Sequence, residues 1–310
     1  MAQVQYLVFN LSMEKIMTVT AFLVNSFTAE GAGGNPAGVV LNADNLSDTE
    51  KLKIAKEVGF SETAFVEQDH EVDFAVSFFT TTEEVDFCGH ATLAVFATLY
   101  DQGILNAGNY TQRTKAGLLG VTIAEDGQIT MEQALPKYLG NLAYGDFVNL
   151  LGLCETTFAE TGLPIDVITT GLPDIIIAVP NGYLDKINID EAALSEFCQQ
   201  HNVIGVHAFE LCEEQSELTA SCRNFAPLVG IPEESATGSA SGALACYLSK
   251  HVFVQQENHF KFEQGRAMGC SSHISASVYS NEQGVYKVLV GGYATHLGTQ
   301  DIVIPISNNT

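Results

Sequence analysis

Three ionisable side chains stand where elements of structure begin or end: Glu62, His90 and Glu234. A carboxylate so placed can take a proton from carbon and give it back, and an imidazole can donate to a polarised oxygen or pass a proton. The hydroxyls of Ser61, Thr92, Thr237 and Ser239 accompany them. His90 follows Cys88-Gly89 in the first turn of an apolar helical run, where the helix dipole predicts a neutral imidazole. Glu62 lies between Ser61 and Thr63, ahead of Ala-Phe-Val, which predicts a partly buried carboxyl with a raised pKa. Gly89 and Gly238 lack a Cβ and would let a ligand approach the backbone. Singly, each has a plainer explanation: a capping histidine, a surface glutamate at a strand start, a glycine turn.

Repetition argues for more. Residues 78–95 read Phe-Phe-Thr-Thr-Thr-Glu-Glu-Val-Asp-Phe-Cys-Gly-His-Ala-Thr-Leu-Ala-Val. Residues 224–243 follow the same plan: a strand end with Phe225, an acidic turn, then Ser235-Ala-Thr-Gly-Ser-Ala opening a helix. Two related halves, each with a glycine-containing helix start, predict a cleft that binds an anionic group from both walls.

The elements that must position these residues follow from the pattern. Strands are expected over Thr18–Asn25, Ala37–Leu41, Glu62–Glu67, Asp73–Phe79, Gly120–Ala124 and Ile129–Gln133. Ser47-Asp-Thr-Glu50 is a capping box, Leu52, Ile54, Ala55 and Val58 mark a buried helix face, and Gly59 stops the helix. Ala91–Asp101 and Ser239–Lys250 are strongly apolar helices, and Asp190–Gln200 a third. Later strands are expected over Pro173–Val179, Val203–Leu211, Leu218–Phe225, Ser272–Tyr279, Val285–Gly291 and Ile302–Ile306, with Gly291-Gly292 as a turn or bulge. The pattern is α+β, with a mixed sheet around one long helix in each half. The halves are assigned to 17–135 and 136–306, with residues 1–16 as a leader and Met13 or Met17 as an alternative start.

Composition excludes several function classes. Acids outnumber bases 37 to 13 in 310 residues, a net charge of −24, which argues against nucleic acid or an anionic membrane as partner. A hydrophobic content of 46% supplies two cores, and no run of apolar residues is long enough to span a bilayer. Seven cysteines, an odd number without a CxxC pair, read as reduced thiols in a cytoplasmic protein and name no metal site.

The chain resembles the phenazine-biosynthesis-like isomerase family, which shares its fold with diaminopimelate epimerase. The resemblance rests on Asn35-Pro36, Ile54–Glu57 through Ser61–Phe65, Glu84–Thr92, Gly230–Ala240, Glu263-Gln264-Gly265 and Val290-Gly-Gly292, in order along nearly the whole chain. It implies two lobes, each a barrel-like sheet around a helix, with the active site between them, and a homodimer. It implies no cofactor and no metal. Glu62 would carry the proton, while His90, Glu234 and Ser239 bind and polarise a small anionic amino-carboxylate substrate. Asn35, Gly89, Thr237, Gly238 and Gly265 would line the substrate wall. The two-thiol epimerases of this fold place one cysteine at each helix start; Cys88 matches the first, and Ser235 is assigned to the second. A serine hydroxyl without an adjacent base is a poor proton acceptor, so isomerisation by one carboxylate is expected. The alternatives are an epimerase using Cys88 with Glu62, and a non-catalytic binding member. Departures from the family pattern are Glu234 where Asp is common, and Ser77 and Cys270 where Arg is frequent.

Overall fold

The computed structural model describes residues 16–305. The N-terminal half runs β1 (Ile16–Ser26), β2 (Asn35–Val40), α1 (Asp48–Val58), β3 (Glu62–Glu67), β4 (Phe74–Phe79) and β5 (Glu84–Val85). It continues with α2 (Gly89–Asp101), β6 (Gly108–Thr114), β7 (Gly117–Ile123), β8 (Ile129–Glu132) and β9 (Lys137–Leu142). The C-terminal half runs α3 (Val148–Leu151), α4 (Glu155–Ala159), β10 (Ile165–Thr169), β11 (Pro173–Ala178), α5 (Glu191–His201), β12 (Gly205–Leu211) and β13 (Ala220–Ala226). Then come β14 (Ile231–Glu234), α6 (Gly238–His251), β15 (Glu257–Gln264), β16 (Ser272–Asn281), β17 (Gly284–Gly292) and β18 (Ala294–Pro305).

Strand pairing repeats with an offset of nine strands. β2 and β3 are parallel, as are β11 and β12; β4 pairs with β5 and β6 as β13 pairs with β14 and β15. The last strand of each set pairs with the first strand of the other: β9 with β10, and β18 with β1. β8 and β17 also join directly, so the two lobes share one continuous mixed sheet. β18 thus returns to the first lobe, as half of a mutual exchange with β9.

Each lobe is a strongly curved sheet around one helix, because neither helix has a polar face to show water. Leu93, Ala94, Val95 and Phe96 of α2 are fully buried on successive positions, as are Leu244, Ala245, Cys246, Tyr247 and Leu248 of α6. A single apolar core runs through both lobes around these two helices. Two outer cores lie under α1 and under α3–α5. The capping box at Ser47 forms, and Gly59 closes α1 with φ +75°. Among the described residues no helix is long and apolar enough to cross a membrane.

Several strands escape the sequence reading. β6 reads Gly-Asn-Tyr-Thr-Gln-Arg-Thr and β15 Glu-Asn-His-Phe-Lys-Phe-Glu-Gln, both too polar on one face to stand out without their neighbours. Gly291-Gly292 is no turn: both lie inside β17, where a Cβ on Gly291 would come within 2.3 Å of the Ile129 carbonyl oxygen. Glycine there permits the close approach of β8 and β17 that joins the lobes. Of the expected leader, only Ile16 falls within the described residues, as the first residue of β1.

Candidate active site

The starts of α2 and α6 face the junction of the lobes, and the candidate residues gather there. Parallel pairing of β2 with β3 sets Ala37 against Glu62, so Asn35 and Glu62 sit at adjacent strand starts. Cys88 is the N-cap of α2, which puts Gly89 and His90 in its first turn; Thr237 is the N-cap of α6, ahead of Gly238 and Ser239. The structural counterpart of Cys88 is therefore Thr237 and not Ser235, because helix N-caps and not turn lengths align the two halves. Ser235 is buried, and its hydroxyl donates to the Gly34 carbonyl at 3.0 Å.

Glu62 Oε2 lies 3.2 Å from His90 Nε2. The contact is an ion pair without an aligned hydrogen bond, so Oε2 retains a free lone pair although it is buried. Burial opposes ionisation of Glu62, but His90 beside it outweighs that and holds its carboxyl below the usual range. The expectation of a raised pKa is corrected: Glu62 rests as a carboxylate. The expectation of a neutral imidazole is corrected too. Burial pushes His90 down, yet the Cys88 sulfur and the Glu62 carboxylate against its ring carry it well above its ordinary value. A carboxylate in contact outweighs a partial helix charge.

Asn35 ties this pair to the second lobe. Its Nδ2 donates to Glu234 Oε1 at 2.9 Å and to the Ala236 carbonyl at 3.1 Å, and stands 3.4 Å from His90 Nδ1. Glu234 Oε2 accepts the Thr237 hydroxyl at 2.5 Å. Burial, partly offset by His90 and Thr237, raises the Glu234 pKa. Sequence reasoning missed Gln264. Its Nε2 donates to the Glu234 carbonyl at 2.7 Å and to Thr237 Oγ1 at 3.0 Å, while its Oε1 accepts the Thr237 N–H at 3.1 Å. A glutamine directly ahead of Gly265, inside the stretch Glu263-Gln264-Gly265, was the available signal.

The glycines divide by role. A Cβ on Gly89 would meet nothing within 4 Å, so the space beside it is open to a ligand. A Cβ on Gly238 would come 3.4 Å from Phe27, and one on Gly265 would lie 2.4 Å from the Cys270 carbonyl oxygen. Those two serve packing and a left-handed turn at φ +86° respectively, and the expected ligand contact at Gly265 is replaced by a supporting role. Ser239 Oγ has no hydrogen-bond partner among the described residues, whereas its carbonyl accepts the Thr170 hydroxyl at 3.1 Å. Ser77 accepts from the buried Lys51 amine at 3.1 Å, away from the cleft, and Arg223 donates from Nε and Nη2 to Glu233 and from Nη1 to the Leu184 and Ile187 carbonyls.

Cys88 Sγ lies 3.4 Å from His90 Nδ1, and burial pushes its thiol up. Glu62, Cys88 and His90 present donor atoms within 4.8 Å of one another, a set that would also suit a zinc ion. A separate cavity of about 630 Å³ between Thr28, Lys261, His273 and Tyr293 contains none of the candidate residues.

Comparison with known proteins bears on the whole chain. The family model described as "Phenazine biosynthesis-like protein" matches residues 24–299. The uncharacterized isomerase YddE of Escherichia coli K12 is 34% identical over 293 residues, covering 91% of this chain and 97% of that one. Trans-2,3-dihydro-3-hydroxyanthranilate isomerase of Pseudomonas chlororaphis is 26% identical, covering 91% and 98%. The crystal structure of a PhzF-family phenazine biosynthesis protein from Bacillus anthracis superposes with a TM-score of 0.85 at 26% identity, covering 93% and 100%. With its paired lobes and the Glu62–His90 pair between them, the chain belongs to the phenazine biosynthesis-like family, a family of isomerases.

Proposed function

We propose that this isomerase moves a proton between two carbons of a small conjugated carboxylate substrate, with Glu62 as the carrier and no cofactor required. The observation that carries the reading is the buried, ionised Glu62 with a free Oε2 lone pair against a charged His90. Glu62 accepts a proton from an sp³ carbon, and the electron pair left behind spreads into the adjoining double bond. His90 and the amides at the starts of α2 and α6 stabilise that charge. Glu62 then returns the same proton to the far end of the system, so atoms and electrons balance without a redox partner. Asn35, Thr237 and Gln264 hold Glu234 in place on the opposite wall.

The near twofold repeat supports a single base. β3 begins with Glu62 and β12 with Gly205, each opposite the equivalent register of its parallel neighbour. A Cβ at Gly205 would sit 2.1 Å from the Phe225 carbonyl oxygen, so the second lobe has no room for a mirrored carboxylate. One base on one face suits transfer along a substrate better than inversion at a carbon, which needs two. Cys88 touches His90, which favours a thiol-assisted epimerase as the second reading, although its buried thiol rests protonated.

Proton NMR in D₂O tests this with cyclic amino acids and unsaturated carboxylates, trans-2,3-dihydro-3-hydroxyanthranilate among them. Deuterium uptake or a migrating double bond is expected with the wild type and is lost in Glu62→Gln. Exchange that persists in Glu62→Gln but disappears in Cys88→Ala would move the role to the thiol.

A further inference from the structure

The cavity of about 630 Å³ outside the cleft has the size of a small-molecule site, and the proton transfer uses none of its walls. One wall is the outer face of β15 and β16, where Lys261 and Ser275 are register partners and His273 lies on the same side. Ile274 and Ala276, on the alternate positions, face the core. Another wall is the β1–β2 turn with Thr28 and Glu30, and Tyr293 lines a third side, its hydroxyl donating to Asp126 at 2.7 Å.

Three donors line this cavity without a strong partner. Among the described residues Lys261 Nζ pairs only with Glu217, at 3.8 Å, and that carboxylate is 92% exposed. The His273 ring has no hydrogen-bond partner among them, and burial with the Lys261 charge pushes its pKa down, so a neutral imidazole keeps one N–H to give. The Thr28 and Thr295 hydroxyls stand 3.0 Å apart; one donates to the other, which leaves one proton undonated. Glu30, the carboxylate in the lining, is exposed to solvent. Glu263, opposite His273 in register, already accepts from Ser221, Ser271 and Arg266.

The turn that walls the cavity is tied to the cleft at both ends. Ser26 and Asn35 are register partners in β1 and β2. The Ser26 hydroxyl donates to the His90 carbonyl at 2.6 Å, and Asn35 Nδ2 stands 3.4 Å from His90 Nδ1. Between them Phe27 at φ 62° and Glu30 at φ 51° hold left-handed backbone, which a side-chain-bearing residue keeps only when its surroundings impose it. Cavity residues do so: the His273 N–H donates to the Phe27 carbonyl at 2.9 Å, and the Thr28 N–H donates to the Tyr293 carbonyl at 3.0 Å. The fully buried Phe27 ring packs between Gly292 of the cavity wall and Gly238 at the start of α6. A Cβ on Gly292 would come 2.8 Å from it, and one on Gly238 3.4 Å.

We propose that this cavity is an effector site for a small organic carboxylate, held by Lys261, His273 and the Thr28–Thr295 hydroxyl pair, and that its occupancy is felt at His90 through the 27–34 turn. The carboxylate supplies the acceptor that the three donors lack, and its hydrogen bond to the Lys261 ammonium is charge-assisted. Gly292, Ala294 and the Tyr293 ring give its apolar body a wall. Because Ser26, Phe27 and Asn35 are buried and close-packed, a shift of the turn is passed to His90 and to the start of α6 rather than absorbed.

Fluorine NMR titration with 4-fluorobenzoate, and with 4-fluorobenzamide as its uncharged counterpart, reads the binding. The ring resonances of His90 in protein labelled with ¹⁵N-histidine read the coupling. The wild type is expected to bind the acid at least about tenfold more tightly than the amide, with His90 shifting in proportion to occupancy. Lys261→Met is expected to weaken the acid about tenfold and to remove the His90 shift at concentrations that saturate the wild type, and Glu62→Gln to preserve the binding. No saturable binding, equal affinity for acid and amide, or an affinity unchanged in Lys261→Met would overturn the site. A His90 shift that persists in Lys261→Met, or binding lost in Glu62→Gln, would put the carboxylate in the cleft and overturn it as well. Saturation with unmoved His90 resonances would overturn the coupling. The wild-type comparison of acid with amide stands even if Lys261→Met does not fold. None of these outcomes depends on turnover, so the isomerase reading stands or falls separately.

Discussion

Asn35 Nδ2 and Glu234 Oε1 stand 2.9 Å apart, joining the first residue of β2 to the last residue of β14 across 199 positions of sequence. The same amide reaches the Ala236 carbonyl and borders His90 Nδ1, so one side chain references the base's partner in one lobe to the acid of the other. The swapped strands β9 and β18 hold the lobes in register at a distance, and Asn35 does so at the site.

Replacing Asn35 by Leu keeps the bulk and removes the donors. Glu234 Oε1 and the Ala236 carbonyl would then be buried without a partner, at about 1–3 kcal/mol each by the usual penalty. Thermal unfolding is expected to shift down by several degrees, and kcat to fall more than KM rises because Glu234 and His90 lose their mutual placement. A variant with wild-type Tm and kcat would show that the bridge is incidental.

The Glu62–His90 pair sets a pH window whose sign follows from the two shifts. Glu62 is lowered from an ordinary 4.5, so its stabilisation is present above that value and lost as pH falls through the folded-state pKa. His90 is raised from an ordinary 6.5, so its stabilisation is complete below that value and lost as pH rises through the folded-state pKa. The pair therefore stabilises most between those ordinary values, and kcat/KM is expected to stay level from below the first to above the second. Profiles of Tm and kcat/KM against pH check this, and Glu62→Gln should flatten both at once, with a rate loss of about 10²–10⁴-fold.

Gly265 is at φ +86° with the Cys270 and Ser235 carbonyl oxygens where a Cβ would go. Gly265→Ala is expected to destabilise by about 1–3 kcal/mol through backbone strain. Because the adjacent Gln264 orients Glu234 and Thr237, KM should rise as well. Denaturant unfolding and steady-state kinetics on the same preparation measure the two effects.

Glu62, Cys88 and His90 are close enough to close on a metal ion. Added zinc is expected to inhibit by claiming the base, and a chelator to restore the rate. In Cys88→Ala half-inhibition should need about tenfold more zinc, since a ligand is lost while Glu62 and His90 remain. Activation by zinc, or loss of activity on chelation, would make the same triad a metal centre instead.

The sequence by itself determined the α+β class, the two buried helices and the two helix starts, and it named Glu62, His90, Glu234, Thr237 and Ser239 as the candidates for chemistry there. Those features are local: period, caps and glycine stops act within a few residues. It also carried the repeat, though only the helix caps show that Thr237 and not Ser235 answers Cys88. Tertiary structure completed the charge states. His90 is raised by the Cys88 sulfur two residues before it and by Glu62, which β3 delivers to its ring, and Glu62 is lowered by that same His90, reversing both expectations drawn from each residue's own surroundings. Tertiary structure alone also recruited Gln264 from β15 to Glu234 and Thr237. Electrostatics and hydrogen bonding act through space, and pairings across the swapped, twisted sheet join residues that no local pattern connects.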